Sequence, residues 1–230
     1  MTITVYWACL EDEWMAAKAP DLVSSNFYKK DLLDQSTELS SVAPCPGFNS
    51  NLKNVFALRS LYDYSFTVSG SEVRTEKYDQ EFFEAHVLIR SLEKKLFSFK
   101  NRYIFFTDAP DLEVTLYEYP YLEDNNITKA CIPITGKFNI GKWFRNSDYA
   151  FYLKKDYDTF TVEQGEIYSY IRFHTEESIL FKQFRYSPKF DLYQKDCYSL
   201  TKLGLKQFNK YYSTFKIKGL VLQDIKENLL

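Results

Sequence analysis

Residues 136–186, GKFNIGKWFRNSDYAFYLKKDYDTFTVEQGEIYSYIRFHTEESILFKQFRY, decide the class of fold. Within them Ile167, Ser169, Ile171 and Phe173 alternate with Tyr168, Tyr170 and Arg172, the period of two that sends successive side chains to opposite faces of a strand. The preceding YAFYL at 149–153 reads as another strand. Between the two, Gln164-Gly165-Glu166 supplies a turn whose glycine can take positive φ. The stretch is therefore expected to form a β-meander.

Working outward, residues 2–10 (TITVYWACL) are β-branched and aromatic and read as an opening strand buried on both faces. Acids at 11–13 start a short helical turn that Pro20 stops, and Ser24 or Ser25 caps a second, giving an N-terminal helical segment at 11–34. Pro44-Cys45-Pro46-Gly47 fixes a turn. Strands are expected at 54–59 and 62–68, with Ser69-Gly70-Ser71 turning the second into a hairpin. Phe82, Phe83, His86, Val87 and Ile89 fit helix and strand equally. Residues 96–99 and 103–106, joined through Lys100 and Asn101, are expected to pair as a hairpin, and 112–117 adds a strand. From Ser199 the period changes: Leu200, Leu203, Phe208, Tyr211 and Phe215 recur at helical spacing, and the chain ends in Leu229-Leu230, a terminus expected to be docked on its own core or on a partner. The class is mainly β (α+β): β-sandwich-like antiparallel sheets with short N-terminal helices and a C-terminal amphipathic helix. The division is a β-rich domain at 1–198, with a helical segment at 199–230 packed on it.

Composition narrows what such a fold can do. With 230 residues the chain can bury a full-sized core, and 19 Tyr and 20 Phe against 7 Gly and 7 Pro describe a scaffold of strands with few tight turns. So many tyrosines mark either half-exposed strand faces or a large contact surface. Twenty-nine basic residues against 31 acidic ones leave a net charge of −2, which disfavours a general nucleic-acid binder. No segment approaches the ~18 apolar residues that cross a bilayer, and no basic, apolar leader precedes the opening strand, so no membrane partner is expected. Cys9, Cys45, Cys131 and Cys197 are scattered without a CxxC pair. That pattern fits reduced core thiols.

Motifs for catalysis are missing. The two histidines, His86 and His174, sit in no metal-ligand spacing; His174-Thr175-Glu176 lacks the downstream histidine of a facial triad. GKFNIGKW at 136–143 has neither the phosphate-loop nor the dinucleotide-loop spacing, and acid pairs such as Asp156 with Asp158 lie beside turns. No catalytic residue, metal ligand or cofactor is assigned. The cluster of interest is Lys142-Trp143-Phe144-Arg145-Asn146-Ser147-Asp148. Trp and Arg dominate binding hot spots, so Trp143, Arg145 and Asp148 form a candidate recognition surface, with Tyr168, Tyr170, Arg172 and His174 lining an adjoining strand face. The competing reading makes Trp143 a core plug and pairs Arg145 with Asp148 across a turn. Exposure of the Tyr168–Tyr170 face discriminates the two.

GKFNIGKWFRNSDYAFYLK at 136–154 and VEQGEIYSYIRFHTEE at 162–177, together with CPGFNSNLKNVFALRSLYDYSF at 45–66, resemble conserved uncharacterised proteins of large contractile-tailed cyanobacterial phages, a likeness that covers roughly Thr4 to Phe184, and more faintly a bacterial domain of unknown function. The resemblance implies a phage origin and transfers no functional residue. The resulting expectation is a non-catalytic phage protein acting through binding surfaces, as a component of the virion or of its assembly, with a protein partner or self-association, in the virion or the host cytoplasm. The alternative is an intracellular effector that binds a host protein or small ligand, and the third reading is an enzyme with an unrecognised site.

Overall fold

In the computed structural model, the described residues are 1–9, 23–24, 46–51, 53–75, 77–100, 103–117, 126–200, 207, 210–211 and 215–230. Fifteen strands are present among them: β1 (Thr2–Cys9), β2 (Val23–Ser24), β3 (Val55–Arg59), β4 (Tyr64–Ser69), β5 (Glu72–Arg74), β6 (Val87–Ser91), β7 (Leu96–Phe99), β8 (Tyr103–Phe106), β9 (Glu113–Tyr117), β10 (Cys131–Ile134), β11 (Gly136–Asn139), β12 (Tyr149–Leu153), β13 (Thr159–Val162), β14 (Ile167–Phe173) and β15 (Ser178–Gln183). The helices are α1 (Pro46–Asn51), α2 (Gln80–His86), α3 (Asn126–Ala130), α4 (Pro188–Leu200) and α5 (Lys218–Glu227). The fold is mainly β, as expected. Of the N-terminal helical segment, only 23–24 lie within the described residues, where they form a strand. The long helix begins at Pro188, which takes the first helical position that its fixed φ suits. Much of 201–214 lies outside the described residues.

Four sheets assemble in the orders β15–β1–β8, β10–β12–β7–β6, β11–β9–β14–β3–β2 and β13–β4–β5. All pairings are antiparallel except β1 with β15, which run parallel from Thr2 opposite Ser178 to Trp7 opposite Gln183. Residues 136–186 do supply five strands, but they do not form a meander. β11 pairs with β9, β12 with β10 and β7, β13 with β4, β14 with β9 and β3, and β15 with β1. Alternation identifies a strand and its buried face, whereas the partner is selected by contacts far away in sequence. The expected hairpin at 96–106 is corrected for the same reason: β7 and β8 belong to different sheets, and the Lys100 N–H donates to His86 O at 2.8 Å. The hairpin at Gly70 (φ +60°) forms as expected, with Ser69 opposite Glu72. The ambiguous stretch at 82–89 divides into helix and strand. Asp79 caps α2 by accepting from Phe82 N–H at 2.7 Å, and the β-branched run after His86 starts β6.

Strands that pass from one sheet to another build corners. In β14 and β3, Ile167 lies opposite Arg59; beyond the corner, in β13 and β4, Val162 lies opposite Tyr64, so residues 60–63 run against 163–166 without a slip. Ser60 N–H donates to Glu166 O and Gly165 N–H donates to Ser60 O, each at 2.8 Å, which carries the ladder through the bend. Gly165 takes φ +84° there, the conformation its sequence context anticipated. A second corner lies where Asn146 bridges Ile104 and Ser147 N–H reaches Tyr103 O at 3.3 Å, just before Tyr149 pairs with Phe99.

The two faces of β1 enter different cores. Val5 and Trp7 join the larger core between the sheets; Tyr6 and Ala8 join a smaller one under α4 and α5, with Ile104, Phe106, Phe144, Phe190, Val221 and Ile225. The opening strand is thus buried on both faces. Much of the aromatic surplus is internal: Phe66, Phe97, Phe99, Phe151 and Phe160 pack with centroids 4.9–6.1 Å apart. Contacts of this kind contribute about 0.5–1.5 kcal/mol per pair beyond area burial. Cys9, Cys131 and Cys197 are buried thiols; Cys45 lies outside the described residues.

Candidate functional site

Trp143, Arg145 and Asp148 sit at the corner where β8 gives way to β12, beneath α4. Trp143 is 9% exposed and part of the smaller core, and the Arg145 guanidinium lies 5.5 Å from its ring centroid. Arg145 Nη2 pairs with Asp148 Oδ2 at 3.1 Å, and Asn146 Nδ2 donates to Asp148 Oδ1 at 2.6 Å. Burial pushes the Asp148 carboxyl above the usual carboxylate range, against the opposing pull of Arg145 and Arg90. The helix joins this network: Asn146 N–H donates to Gln194 Oε1 at 3.4 Å, Gln194 Nε2 donates to the Tyr186 hydroxyl at 2.6 Å, and that hydroxyl donates to Asp191 at 2.7 Å. The tryptophan is a core plug, and the charged pair closes a corner.

The four residues on β14 and just beyond it do not share one face. A β-bulge between Ile167 and Ser169 inserts Tyr168 as an extra residue, turning its ring into the larger core against Phe99 and Tyr149. Tyr168 is 8% exposed and Tyr170 only 1%, so the two do not present an open strand face and the expected common face is corrected. Burial raises the Tyr168 phenol well above its ordinary value. Arg172 stays half-buried, with Nη2 donating to Ser50 O at 3.2 Å, and shares a register row with Thr115, Lys137 and Val55. His174 is exposed, its Nε2 lying 2.7 Å from Thr115 Oγ1; partial burial and the nearby Arg172 and Lys137 lower its pKa. The other histidine, His86, is enclosed by Tyr62, Tyr64 and Phe82 and donates from Nδ1 to Phe82 O at 2.8 Å.

A different surface stands out, one that the sequence reading passed over. In the β10–β12–β7–β6 sheet, Ile134, Ala150, Ser98 and Leu88 lie opposite one another across the strands, and Ile132, Tyr152 and Leu96 form the neighbouring row. The partners on the other face, Phe97, Phe99, Phe151 and Leu153, belong to the core. The outward rows leave Ile132 52% exposed, Ile134 43% and Leu88 39%. At one end Arg90 lies across the face, donating from Nε to Ser98 Oγ at 2.5 Å with its Nη2 3.9 Å from Asp148. Both edges are blunted: Pro133 withholds a donor from β10, and β6 carries a bulge between Ile89 and Ser91. The legible signal was Cys131-Ile132-Pro133-Ile134, two isoleucines flanking an edge proline.

The described residues hold no cluster of three or more His, Cys, Asp or Glu suited to a metal ion, and no helix long and apolar enough to cross a membrane. A small cleft of about 20 Å³, room for one or two waters, opens between Arg59, Ser60, Leu61, Tyr64, Phe99, Lys100, Tyr103 and Tyr168. Neither histidine lines it. Comparisons with protein-family models, with curated proteins and with solved structures find no match.

Proposed function

We propose that the protein acts by contact and not by catalysis, as a phage component of the virion or of its assembly, and that the outer face of the β10–β12–β7–β6 sheet seats a partner protein. The carrying observation is the outward row of Ile132, Tyr152 and Leu96 with the exposed Ile134 beside it, and Leu88 beyond the buried Ser98, on a sheet whose other face is core. Exposed apolar patches rimmed by polar groups mark interaction sites. Here the polar group at one end is Arg90, whose Nη2 lies 3.9 Å from the largely buried Asp148.

Size selects the occupant. Four strands ~4.8 Å apart and about four residues long at ~3.4 Å each give a face of roughly 15 Å by 15 Å. That is well under the ~800 Å² per partner of a stable interface, so the face is the apolar centre of a larger contact. An amphipathic helix about 10 Å across and three turns long covers it. Strand addition is disfavoured by the proline and bulge at the edges. The neighbouring β15–β1–β8 sheet is completed in the same way, by α4 and α5 of this chain. The resemblance at 45–66, 136–154 and 162–177 supports the phage setting.

The test compares wild type with the Ile132→Lys, Ile134→Lys double variant. Quantitative mass spectrometry of purified particles is expected to find the wild-type chain in fixed stoichiometry and the variant depleted at least about tenfold, with unchanged thermal unfolding because both positions are exposed. Equal incorporation of the variant, or absence of the wild-type chain from particles and their assembly intermediates, overturns the proposal.

A further inference from the structure

The outer edge of β15 is open. In the β15–β1–β8 sheet this strand pairs on one side only, and its ladder with β1 runs from Ser178 to Gln183 with neither bulge nor proline. The bonds at its C-terminal end show which way each backbone group points. Phe184 N–H donates inward to Trp7 O, whereas Gln183 O and Arg185 N–H face outward and bond to Leu230 N–H and Asn228 O. Backbone groups alternate along a strand, so Ile179 and Phe181 also present their N–H and C=O outward. Among the described residues neither has a hydrogen-bond partner on that side. The side chains that flank them, Ser178, Leu180 and Lys182, are exposed, Leu180 to 47%. A regular, unpaired edge that faces solvent is a template for strand addition.

We propose that β15 pairs antiparallel with β15 of a second copy of this chain about a twofold axis at Leu180, joining the two β15–β1–β8 sheets into one. Two observations fix the register. At Gln183 the edge is already taken by the chain's own Leu230. At the other end Glu177 has left the edge, its N–H donating to Thr175 Oγ1 at 3.1 Å and its C=O accepting from Asn54 Nδ2 at 2.9 Å. The open span is therefore 178–182. The antiparallel arrangement that fills it from end to end sets Ile179 opposite Phe181 of the second copy, and Phe181 opposite Ile179, each pair exchanging both of its hydrogen bonds. Leu180 then lies against Leu180 of the second copy, and Lys182 lies opposite Ser178. Lys182 is the strand's one charge and makes no ion pair among the described residues. In this register it meets no like charge, because the acids before Ser178, Glu176 and Glu177, are balanced by Lys53 and the Met1 amine. An edge that is its own complement is what a symmetric dimer requires. So short a seam buries less than a standard interface, which makes the association reversible and concentration-dependent. The surface is separate from the apolar face that carries the proposed function, and either can fail without the other.

Sedimentation equilibrium of the full chain from about 1 to 300 µM is expected to show a monomer–dimer equilibrium. Leu180→Lys and Leu180→Glu each bring like charges together at the twofold axis. Each is expected to weaken the dimer at least about tenfold, with unchanged thermal unfolding because the side chain is exposed. An equimolar mixture of the two variants is expected to restore the dimer, which a mere loss of packing would not do. In the wild type, hydrogen exchange of the Ile179 and Phe181 amides is expected to slow as concentration rises. A chain that stays monomeric, variants that dimerise as the wild type does, or a mixture no tighter than either variant alone overturns the proposal. A dimer lost in the Ile132→Lys, Ile134→Lys variant and kept in Leu180→Lys runs through the apolar face and overturns it as well. If neither Leu180 variant folds, the wild-type amides decide, and exchange rates independent of concentration overturn the pairing.

Discussion

Trp143→Ala separates the two readings of the residue that the sequence made most conspicuous. In the structure its ring is packed in the smaller core with Phe144, Tyr186 and Phe190, and is capped by the Arg145 guanidinium at 5.5 Å. Truncating a buried Trp to Ala costs about 3–5 kcal/mol through lost transfer energy and the cavity left behind, and the cation–π contact adds about 0.5–1 kcal/mol. Urea unfolding of a chain this size proceeds with a slope near 3 kcal/mol per M, so the midpoint is expected to fall by roughly 1–2 M with the slope unchanged. Trp143→Phe, which keeps an aromatic ring under α4, is expected to recover a large part of that loss. A midpoint within about 0.2 M of wild type for the alanine variant, the range of ordinary surface substitutions, would refute the placement of Trp143 in the core and return it to the list of contact residues.

Two further outcomes test other joints. Gly141→Ala is expected to destabilise by about 1–3 kcal/mol in the same urea assay, because a Cβ there would stand 2.7 Å from the backbone oxygen of Ala109, which cannot move aside as a side chain can. Asp224→Asn tests the clamp between α4 and α5, where Lys189 Nζ and the Tyr193 hydroxyl each donate to the carboxylate at 2.5 Å. Burial alone would raise this carboxyl, but the bonds and charge of Lys189 and the bond from Tyr193 outweigh it and leave the pKa below the ordinary value, while the Tyr193 phenol is pushed up to about 12. A lowered folded-state pKa means the stabilisation is present above the unfolded value of about 3.9 and is lost as pH falls through the folded one. The variant is therefore expected to be less stable at pH 7 by about 1–3 kcal/mol, with the gap narrowing as pH drops below about 4; a gap independent of pH counts against the clamp.

What the sequence carried well was local. Alternation located β9, β12 and β14, the Ser69-Gly70-Ser71 turn located the β4–β5 hairpin, and Gly165 has the positive φ its neighbours required. Partner choice was not local. The strands of 136–186 are neighbours in sequence, yet each finds its partner elsewhere, because the links between them turn corners that interrupt sequential pairing. The site was harder to read for the same reason. A single inserted residue at Tyr168 reverses which face that ring occupies, and nothing in EIYSYIRF distinguishes a bulged strand from a regular one. Arg59 and Lys100 reach one cleft only because two corners meet there, so no motif spacing could join them.

The corners also explain why charged and amide side chains collect where they do. When a strand leaves one sheet for another, its ladder bonds lapse for a few residues, and the freed backbone groups need substitutes. Gln164 N–H goes to Asp63 Oδ1 at 2.7 Å, Glu163 N–H to Glu166 Oε2 at 2.8 Å, and Arg59 caps the carbonyl of Gly165. At the second corner Gln194 Oε1 accepts from Asn146 N–H and Arg145 Nε donates to Asn146 O, each at 3.4 Å, while Asp148 holds the Arg145 and Asn146 side chains in place. A Trp-Arg-Asp cluster that looks like a hot spot in one dimension is thus largely engaged in holding a bend. Recognition is better sought in groups the bends leave unengaged, on the Ile132–Ile134 side of a sheet whose opposite face is already core.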